Sequence, residues 1–293
     1  MRNDSYLVVG GDSLVGGGLL RALTRRGHNT YASTRRRSSV DDRRVYLDFE
    51  SDDAFKAPQD VGYAFIVAAA TNYDRCEKDP LAHKINVELI PQLIISLLKQ
   101  GLFVTFISTN SVFGGERPWP HEEDRHAPTI AYALQKDDAE KLVRASAKAL
   151  KMEHRLNIVR LTKIMDQRTS PLPNWFEAWQ RGEAVQPFSD LIFAPMSVQF
   201  VSEALAAIGE QRVPGDLHLS GADNVSYVDF ASALALEKGI SSSLILPTTA
   251  IAKGIHIAYK PSFSGLGMQR TTALTGIHPQ TLAGVVKDLL TKN

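Results

Sequence analysis

The sequence has few residues that could cross-link the chain or hold a soft metal ion. Its 293 residues include a single cysteine, Cys76, which excludes an internal disulfide and any zinc site built from several cysteines. The eight histidines show no metal-ligand spacing, so we predict no metal site. A lone thiol suits a reducing compartment, and we expect the protein to work in the cytoplasm.

The sequence also lacks an excess of charge and a long apolar segment. Its formal net charge is +1, so we expect neither nucleic acid nor an anionic membrane as a partner. Residues 85–98 form the most apolar helix candidate, and this segment is expected to be too polar and too short to cross a bilayer. Met1 is followed closely by a strand-like segment, which predicts no signal peptide. Small molecules remain as partners, and a homodimer is compatible with a sequence that leaves the oligomeric state open.

The first half of the sequence alternates regularly between strand and helix patterns. Short apolar runs are typical of buried strands, and apolar residues at helical spacing lie between them. The strand-like runs cover residues 6–9, 29–33, 45–47, 63–70, 103–107, 156–161 and 216–220. The helix-like segments cover residues 15–23, 87–97, 130–150 and 281–290. This alternation predicts an α/β fold with a doubly wound parallel sheet of the Rossmann type.

The alternation breaks down after about Thr162. Residues 171–187 contain several prolines and two tryptophans with no clear periodicity, which indicates a smaller, irregular lobe. We therefore predict a dinucleotide-binding Rossmann domain over residues 1–165. A C-terminal lobe over residues 166–293 would mainly bind substrate, with residues 190–225 returning to the Rossmann sheet.

A glycine-rich turn links the first predicted strand to the first predicted helix. Gly10 allows a tight turn off the strand, and Gly16 allows the helix to pack closely against the sheet. Amide groups between them can face a pyrophosphate at the helix N-terminus. The cofactor-binding residues predicted in this turn are Gly10, Asp12, Ser13, Leu14, Val15 and Gly16. Ser13 stands where a middle glycine is often found, and a turn without a ligand is the alternative.

The residues after the second strand predict which cofactor binds. NAD sites carry an acidic residue about 20 positions past the glycine turn, which accepts a hydrogen bond from the ribose 2′-hydroxyl. Here Thr34 is followed by Arg35 and Arg36, whose guanidinium groups match the geometry of a phosphate. These three residues predict NADP(H) over NAD(H). The alternative is a solvated arginine loop that pairs with Asp41 and Asp42.

A tyrosine and a lysine lie four residues apart in the helix predicted over residues 130–150. Tyr132 can protonate a ketone oxygen while a hydride reaches the carbon, provided that Lys136 makes the phenolate accessible near neutral pH. Thr109, or Ser108 before it, follows a buried strand and can polarise the same carbonyl. Such a pair also arises by chance on ordinary helix surfaces. The order of glycine turn, threonine and tyrosine–lysine pair is what favours catalysis.

Together these motifs resemble those of the extended short-chain dehydrogenase/reductases, and among them the dTDP-4-dehydrorhamnose reductase-like group. The resemblance covers most of the chain. Further residues that carry it are Asp48, Phe49, Ala68, Ala69, Ala70, Asn86, Arg160 and His218.

The resemblance implies a role for several of these positions. Thr109, Tyr132 and Lys136 become the catalytic set, and Tyr132 and Lys136 also contact the cofactor. Asp48 and Phe49 flank the adenine. The other cofactor contacts that the resemblance implies come from Ala68, Ala69, Ala70 and Asn86.

On the substrate side the sequence departs from the group that it resembles. Rhamnose reductases usually carry an acidic residue and then a tyrosine after the threonine, where this sequence has Asn110 and Ser111. Lys163 stands in the region where that group offers a tryptophan. The predicted substrate contacts are Thr109, Asn110, Lys163 and Trp175. Trp175 belongs to the core of the smaller lobe on the alternative interpretation.

Three functions follow from these expectations. The leading one is an NADPH-dependent reductase of a keto group, on a nucleotide-activated 4-keto-deoxysugar. The second is a nucleotide-sugar epimerase that keeps its cofactor bound, and the third is a cofactor-binding regulatory subunit without turnover. The intact catalytic set favours an enzyme, whereas the substitutions at Asn110, Ser111 and Lys163 keep the third function open. Dehydration is not expected, because Asn110 and Ser111 do not titrate in the useful range.

Overall fold

The central element of the fold is a sheet of seven parallel strands, described here from a computed structural model that covers residues 5–51 and 55–291. In chain order the strands of this and two smaller sheets are β1 (Ser5–Val9), β2 (Thr30–Thr34), β3 (Arg44–Tyr46), β4 (Val61–Ile66), β5 (Phe103–Thr109), β6 (Leu156–Leu161), β7 (Lys163–Met165), β8 (Ile192–Phe193), β9 (Pro195–Ser197), β10 (Gly215–Leu219) and β11 (Val225–Ser226). The large sheet has the order β10-β6-β5-β4-β1-β2-β3, and the small ones pair β11 with β8 and β7 with β9. The predicted Rossmann-type α/β fold is confirmed.

Helices cover both faces of the large sheet and form the smaller lobe. In chain order they are α1 (Leu14–Arg25), α2 (Tyr73–Lys78), α3 (Pro80–His83), α4 (Ile90–Lys99), α5 (Ala131–Ala149), α6 (Leu172–Gln180), α7 (Val198–Gln211), α8 (Tyr227–Glu237), α9 (Gln269–Thr275) and α10 (Leu282–Leu290). A π-helical segment, Lys84–Leu89, joins α3 to α4. Residues 171–187, predicted to be irregular, therefore contain α6.

The position of the site follows from the strand order. The chain runs from β1 outward to β2 and β3, and then crosses to β4 on the other side of β1. In open α/β sheets a crevice forms at such a reversal, at the carboxyl ends of the strands. The backbone amides of Val67 and Ala68 both donate to the carbonyl oxygen of Val9, at 2.9 and 3.0 Å. The strand predicted over residues 63–70 ends at Ile66 because the chain leaves the sheet there.

Alternating side chains of the inner strands feed two apolar layers. On β1, Leu7 and Val9 pack under α4 and α5, whereas Tyr6 and Val8 pack under α1 and α7. Both faces are buried, which explains why these strands read as continuous apolar runs. A third apolar cluster holds α6, α8 and α10 together in the smaller lobe.

Residues 80–99 form one helical segment that is longer than the sequence pattern predicts. Its 20 residues are long and apolar enough to cross a membrane by length and composition alone, whereas the expectation of a segment too short and too polar concerned residues 85–98. Half of its most apolar window is buried inside the protein. Ile90, Ile94 and Leu97 lie in the core beside β4 and β5, and this packing accounts for the apolar residues.

Candidate functional site

The glycine turn lies at the crevice and leaves no room for side chains at its two ends. Gly10 has a φ of +94°, and a Cβ there would approach the Ala68 amide nitrogen to 2.8 Å. A Cβ on Gly16 would fall on the Gly10 carbonyl oxygen. Ser13 is the N-cap of α1: its Oγ accepts from the Gly16 amide at 3.0 Å and donates to the Gly10 carbonyl at 2.8 Å. The serine in place of a middle glycine is thus explained by its role in starting the helix.

A cavity of about 370 Å³ opens at this turn. On one side its lining consists of Gly10, Asp12, Ser13, Thr34 and Arg35. On the other side its lining includes Asp48, Phe49, Ala68, Ala69 and Ala70. The helix N-terminus at the turn and the small side chains of the alanines fit the diphosphate and adenosine of a dinucleotide. Of the other predicted cofactor residues, Leu14, Val15 and Gly16 begin α1, and Val15 faces the neighbouring cleft.

Asp12 gathers several polar groups at the adenosine end of this cavity. Its Oδ2 accepts from the Thr34 hydroxyl at 2.8 Å, and its Oδ1 lies 3.0 Å from Arg36 Nη2 and 2.8 Å from Arg44 Nη1. Partial burial would raise the pKa of Asp12, but the bonds from Thr34, Arg36 and Arg44 hold it below its ordinary value. Asp12 is therefore ionised and pairs with two arginines.

Arg35, the other arginine predicted to bind the cofactor, is exposed and lines the cavity. In the part of the chain that the structure describes, Arg35 has no carboxylate partner. Among the described residues neither Arg35 nor Arg36 pairs with Asp41 or Asp42, as the alternative of a solvated arginine loop would require. Asp41 Oδ1 instead accepts from the backbone amides of Arg43 and Arg44, both at 2.7 Å.

A cleft of about 810 Å³ adjoins the first cavity and shares Val67, Ala69 and Thr71 with it. The structure places five of the predicted catalytic and substrate residues along this cleft. They are Thr109, Asn110, Tyr132, Lys136 and Lys163. The two openings are therefore direct neighbours at the carboxyl edge of the sheet.

Tyr132 lies in the first turn of α5, where it is half-buried. Its ring lies 5.6 Å from that of Tyr73, tilted by 31°. Burial raises the pKa of the Tyr132 phenol well above its usual range, with contributions from Tyr73 and Cys76, and a bond with Thr109 opposes the change only in part. Tyr132 therefore keeps its proton at neutral pH.

Lys136, one helical turn further on, is directed towards β5. Its Nζ donates to the Ile107 carbonyl at 2.6 Å and lies 3.9 Å from the centre of the Phe106 ring. Only 2% of the residue is exposed, and burial lowers its pKa to about 7 although Glu140 opposes the change. The Lys136 ammonium thus bonds to β5, and the expectation that it makes the Tyr132 phenolate accessible stays a prediction.

Two hydroxyl groups end β5 beside the cleft. Thr109 Oγ1 lies 3.0 Å from Ser111 Oγ and accepts from the Ser111 amide at 3.2 Å. Ser108 also lines the cleft, and among the described residues its buried Oγ has no hydrogen-bond partner. Thr109 and Ser108, either of which was predicted to polarise the carbonyl, thus both lie where they can contact a ligand.

The predicted substrate residues fall into different surroundings. Asn110 Nδ2 donates to the Ser264 carbonyl and hydroxyl oxygens, at 2.8 and 3.0 Å, which ties β5 to the C-terminal segment. Lys163 faces the cleft without a carboxylate partner in the described chain, and partial desolvation lowers its pKa. Trp175 does not reach the cleft, which corrects the predicted substrate contact. It is 6% exposed in the core of the smaller lobe, and Tyr227, which lines the cleft, packs edge-on against it.

Gln135 is a site-supporting residue that the sequence analysis misses. Asn86 Oδ1 accepts from the Ala70 amide at 2.9 Å, and its Nδ2 donates to the Ala70 carbonyl at 2.9 Å and to Gln135 Oε1 at 2.8 Å. Gln135 Nε2 in turn donates to the Cys76 carbonyl at 2.8 Å. This buried network fixes α5 to the segment that lines the cofactor cavity. The sequence feature that could have indicated this role is the glutamine between Tyr132 and Lys136 in the predicted helix.

A second network, built on Glu140, lies behind Lys136. The buried Glu140 carboxylate pairs with Arg160 at 2.7 Å and with Arg144 at 2.8 Å. Burial would raise the pKa of Glu140, but chiefly the bond and charge of Arg160 lower it to about 2. Arg160 Nη1 also lies 3.1 Å from His218 Nε2, and burial together with the Arg160 charge lowers the pKa of His218 to about 3. Arg160 and His218, which carry the resemblance, thus belong to the support of α5.

Two of the histidines and the cysteine lie within hydrogen-bond distance of other protein groups. His218 Nδ1 lies 2.9 Å from the Gly267 carbonyl, His126 Nδ1 lies 2.6 Å from Asp137, and the Cys76 thiol donates to the Ala70 carbonyl at 3.3 Å. Within residues 5–51 and 55–291 no group of three or more His, Cys, Asp or Glu side chains could hold a metal ion.

Comparisons with known proteins agree with this architecture. A family model described as the RmlD substrate binding domain matches residues 4–293. The spore coat polysaccharide biosynthesis protein SpsK of Bacillus subtilis (strain 168) is 25% identical over 291 residues, which cover 97% of this chain and 96% of that protein.

Two solved structures show the same fold. The dTDP-4-dehydrorhamnose reductase of Bacillus anthracis str. Ames in complex with NADP is 18% identical, with a TM-score of 0.79 over 98% of this chain and 97% of that one. MoeE5 in complex with UDP-glucuronic acid and NAD is 20% identical, with a TM-score of 0.76 over 97% of this chain and 98% of that one. At these identities the likeness establishes the fold.

Proposed function

Since the chain belongs to the RmlD substrate-binding domain family, we propose that it reduces a keto group on a nucleotide-activated sugar. The family is one of NAD(P)-dependent enzymes of the extended short-chain dehydrogenase/reductase type, which modify nucleotide sugars. The finer proposal is an NADPH-dependent reductase of a 4-keto-deoxysugar. One observation carries it: Thr109, Tyr132 and Lys136 line one cleft, and this cleft shares lining residues with the cavity at the glycine turn.

The proton for the reaction comes from Tyr132. When bound, the nicotinamide supplies a hydride to the keto carbon. Tyr132 donates its phenolic proton to the keto oxygen, and the Thr109 hydroxyl polarises the same carbonyl. The product is an alcohol, and the tyrosine is left as a phenolate.

Lys136 restores the proton that Tyr132 gives up. An ammonium whose pKa is about 7 holds a proton at neutral pH and releases it readily. Lys136 lies one turn from Tyr132 on α5, where its charge stabilises the phenolate and its proton can replace the one transferred. We also assign it to the nicotinamide ribose, as the family resemblance implies.

We assign the first cavity to the rest of the cofactor. The glycine turn over residues 10–16 binds the diphosphate, Asp48 and Phe49 flank the adenine, and the alanines at 68–70 line the path to the nicotinamide. Asn86 holds the last of these alanines in place. Thr34, Arg35 and Arg36 favour the 2′-phosphate of NADP(H) over NAD(H).

We assign the second cleft to the sugar nucleotide, as the small-molecule partner. Lys163 is a cation without a carboxylate partner in the described chain, which suits a diphosphate. Asn110 is held against Ser264 and lines the cleft beside Thr109. The lone buried thiol of Cys76 suits a reducing cytoplasm, where we place the reaction.

The side chains of the cleft favour reduction over the two other reactions of related enzymes. An epimerase that oxidises its substrate first needs a base to take the hydroxyl proton, and the Tyr132 phenol must first lose its own proton to act as that base. A dehydratase needs an acid and a base to eliminate water. Asn110 and Ser111 supply neither, because their side chains do not titrate in the useful range.

The proposal is tested by incubating the purified protein with NADPH and a dTDP-linked 4-keto-6-deoxyhexose. We expect NADPH to be consumed in a 1:1 ratio with a new alcohol product, and the protein to be isolated largely free of nicotinamide. Protein that is isolated with tightly bound NAD⁺ and interconverts two sugar epimers without net consumption of NADPH would contradict the proposal and establish an epimerase.

A further inference from the structure

The carboxylate at the end of β2 belongs to Asp12 of the glycine turn and not to a residue of β2 itself. Ser33 Oγ accepts from the Gly10 amide at 2.9 Å, which fixes the turn against β2. The Thr34 hydroxyl then donates to Asp12 Oδ2 at 2.8 Å across 22 positions of sequence. In NAD sites an acidic residue at the end of this strand binds the ribose 2′-hydroxyl. Asp12 brings the same chemical group to the same strand end.

The Asp12 carboxylate pairs with arginines that would otherwise be available to a 2′-phosphate. Asp12 Oδ1 lies 3.0 Å from Arg36 and 2.8 Å from Arg44, and the Arg36 amide donates to Thr34 Oγ1 at 3.1 Å. The side chains of Asp12, Arg36 and Arg44 are 28%, 66% and 38% exposed, so water screens these pairs in part. Of the three cations Arg35, Arg36 and Arg44, Arg35 alone has no carboxylate partner in the described chain.

From this geometry we propose that Asp12 is a specificity-determining residue that limits the preference for NADP(H) over NAD(H). The inference rests on the dinucleotide site proposed above. A 2′-phosphate must draw Arg36 and Arg44 away from Asp12 or bind beside a like charge, and both options cost affinity. A 2′-hydroxyl meets no such conflict, because it can donate a hydrogen bond to the carboxylate.

The test compares the affinities of NADP⁺ and NAD⁺ by isothermal titration calorimetry, without any substrate. Asp12→Asn keeps an acceptor for Thr34 but removes the charge. We expect it to bind NADP⁺ about five- to tenfold more tightly, the scale set by two partly exposed ion pairs, and NAD⁺ equally or more weakly. Asp42→Asn makes the same charge change at an exposed aspartate of the neighbouring loop and should leave the ratio unchanged.

A second set of variants tests whether the tighter NADP⁺ binding comes from the arginines that no longer pair with Asp12. In the Arg36→Gln, Arg44→Gln protein, adding Asp12→Asn should no longer tighten NADP⁺ binding. Thermal unfolding of each variant establishes that it is folded, and Asp12→Ser serves as a second charge-removing variant.

The possible results separate this inference from the proposed function. An unchanged ratio in Asp12→Asn, a shift equal to that of Asp42→Asn, or weaker NADP⁺ binding would each overturn the role of Asp12 while leaving the dinucleotide site intact. Weaker NADP⁺ binding would mean that Asp12 orients the arginines for phosphate. Failure of every folded variant and of the parent to bind either dinucleotide would instead overturn the dinucleotide site itself.

Discussion

At the scale of single residues, the chemistry of the cleft depends on where its protons reside. Tyr132 is held protonated by burial, and Lys136 has a pKa near neutrality for the same reason. Both groups lie on the first two turns of α5, so one helix positions the proposed proton donor and the lysine proposed to reprotonate it. Removing either group should have different and measurable consequences.

The first prediction concerns the proton donor. Tyr132→Phe should lower the turnover number by roughly two orders of magnitude or more, because general acid catalysis is worth at least that much. The affinity for cofactor should stay nearly intact, since the ring remains. Tyr73→Phe removes a hydroxyl from the neighbouring ring and should have a much smaller effect on turnover. Parent-like turnover of Tyr132→Phe would show that the assigned role is wrong.

The second prediction concerns the pH dependence that Lys136 gives to stability. Burial lowers its pKa from 10.5 to about 7, so above pH 10.5 neither the folded nor the unfolded state carries the charge. As the pH falls through this window the unfolded state takes up the proton first, and the free energy of unfolding falls by up to about 1.4 kcal/mol per pH unit. Below about pH 7 the penalty is complete.

Urea denaturation of the parent and of Lys136→Met at pH 7, 8.5 and 10 measures this effect. Lys136→Met should gain stability relative to the parent as the pH decreases, while losing turnover and cofactor affinity. A difference in unfolding free energy that does not vary with pH would contradict the buried, easily deprotonated lysine.

The third prediction concerns the arginines after β2. The Arg35→Ala, Arg36→Ala double variant should weaken NADPH binding by about 1.5–3 kcal/mol, the range for hydrogen bonds to charged groups. NADH affinity should hardly change, which makes NADH the internal control in the same binding titration. Equal losses for both cofactors would mean that these arginines do not distinguish the 2′-phosphate.

At the scale of elements, α5 is held in place from two sides. The Asn86–Gln135 network joins it to the cofactor side, and the Glu140–Arg160 pair joins it to β6. Arg160 is 1% exposed and Glu140 is fully buried, so an unpaired charge at either residue would be strongly destabilising.

The fourth prediction tests this support. Arg160→Met should lower the free energy of unfolding by about 3–5 kcal/mol, because it leaves the Glu140 carboxylate buried with Arg144 alone. Arg181→Met removes an arginine whose pair with Glu183 is 57% exposed on both sides, and should lower the stability far less. Similar losses in the two variants by urea denaturation would contradict the importance of the buried pair.

The elements that sequence could predict are those with one dominant pattern. The inner strands are continuous apolar runs because both faces are buried, and α1, α5 and α10 begin and end within a few residues of expectation. Residues 198–211 carry no predicted element, whereas the structure has α7 there. The signal was present, since Ser197 caps this helix and Val201, Leu205 and Ile208 follow at helical spacing.

At the scale of the whole molecule, the site could be predicted as far as strand order determines it. Residues at the carboxyl ends of β1, β4 and β5 must meet at one edge of the sheet, and Thr109 and the glycine turn do so. The Asp12–Arg44 pair could not be predicted, because it depends on how two loops approach each other. The burial of Trp175 depends on packing within the smaller lobe, which has no periodic signal of its own.

The account as a whole is tested most directly by following the hydride. NADPH with deuterium at C4 of the nicotinamide is incubated with the protein and a dTDP-linked 4-keto-6-deoxyhexose, and the product is analysed by mass spectrometry and NMR. We predict one deuterium on the carbon that carried the keto group, at a rate that Tyr132→Phe reduces by about the two orders of magnitude given above. A folded protein that binds NADPH but yields no deuterated alcohol, or only an unlabelled epimer, would contradict the reductase assignment.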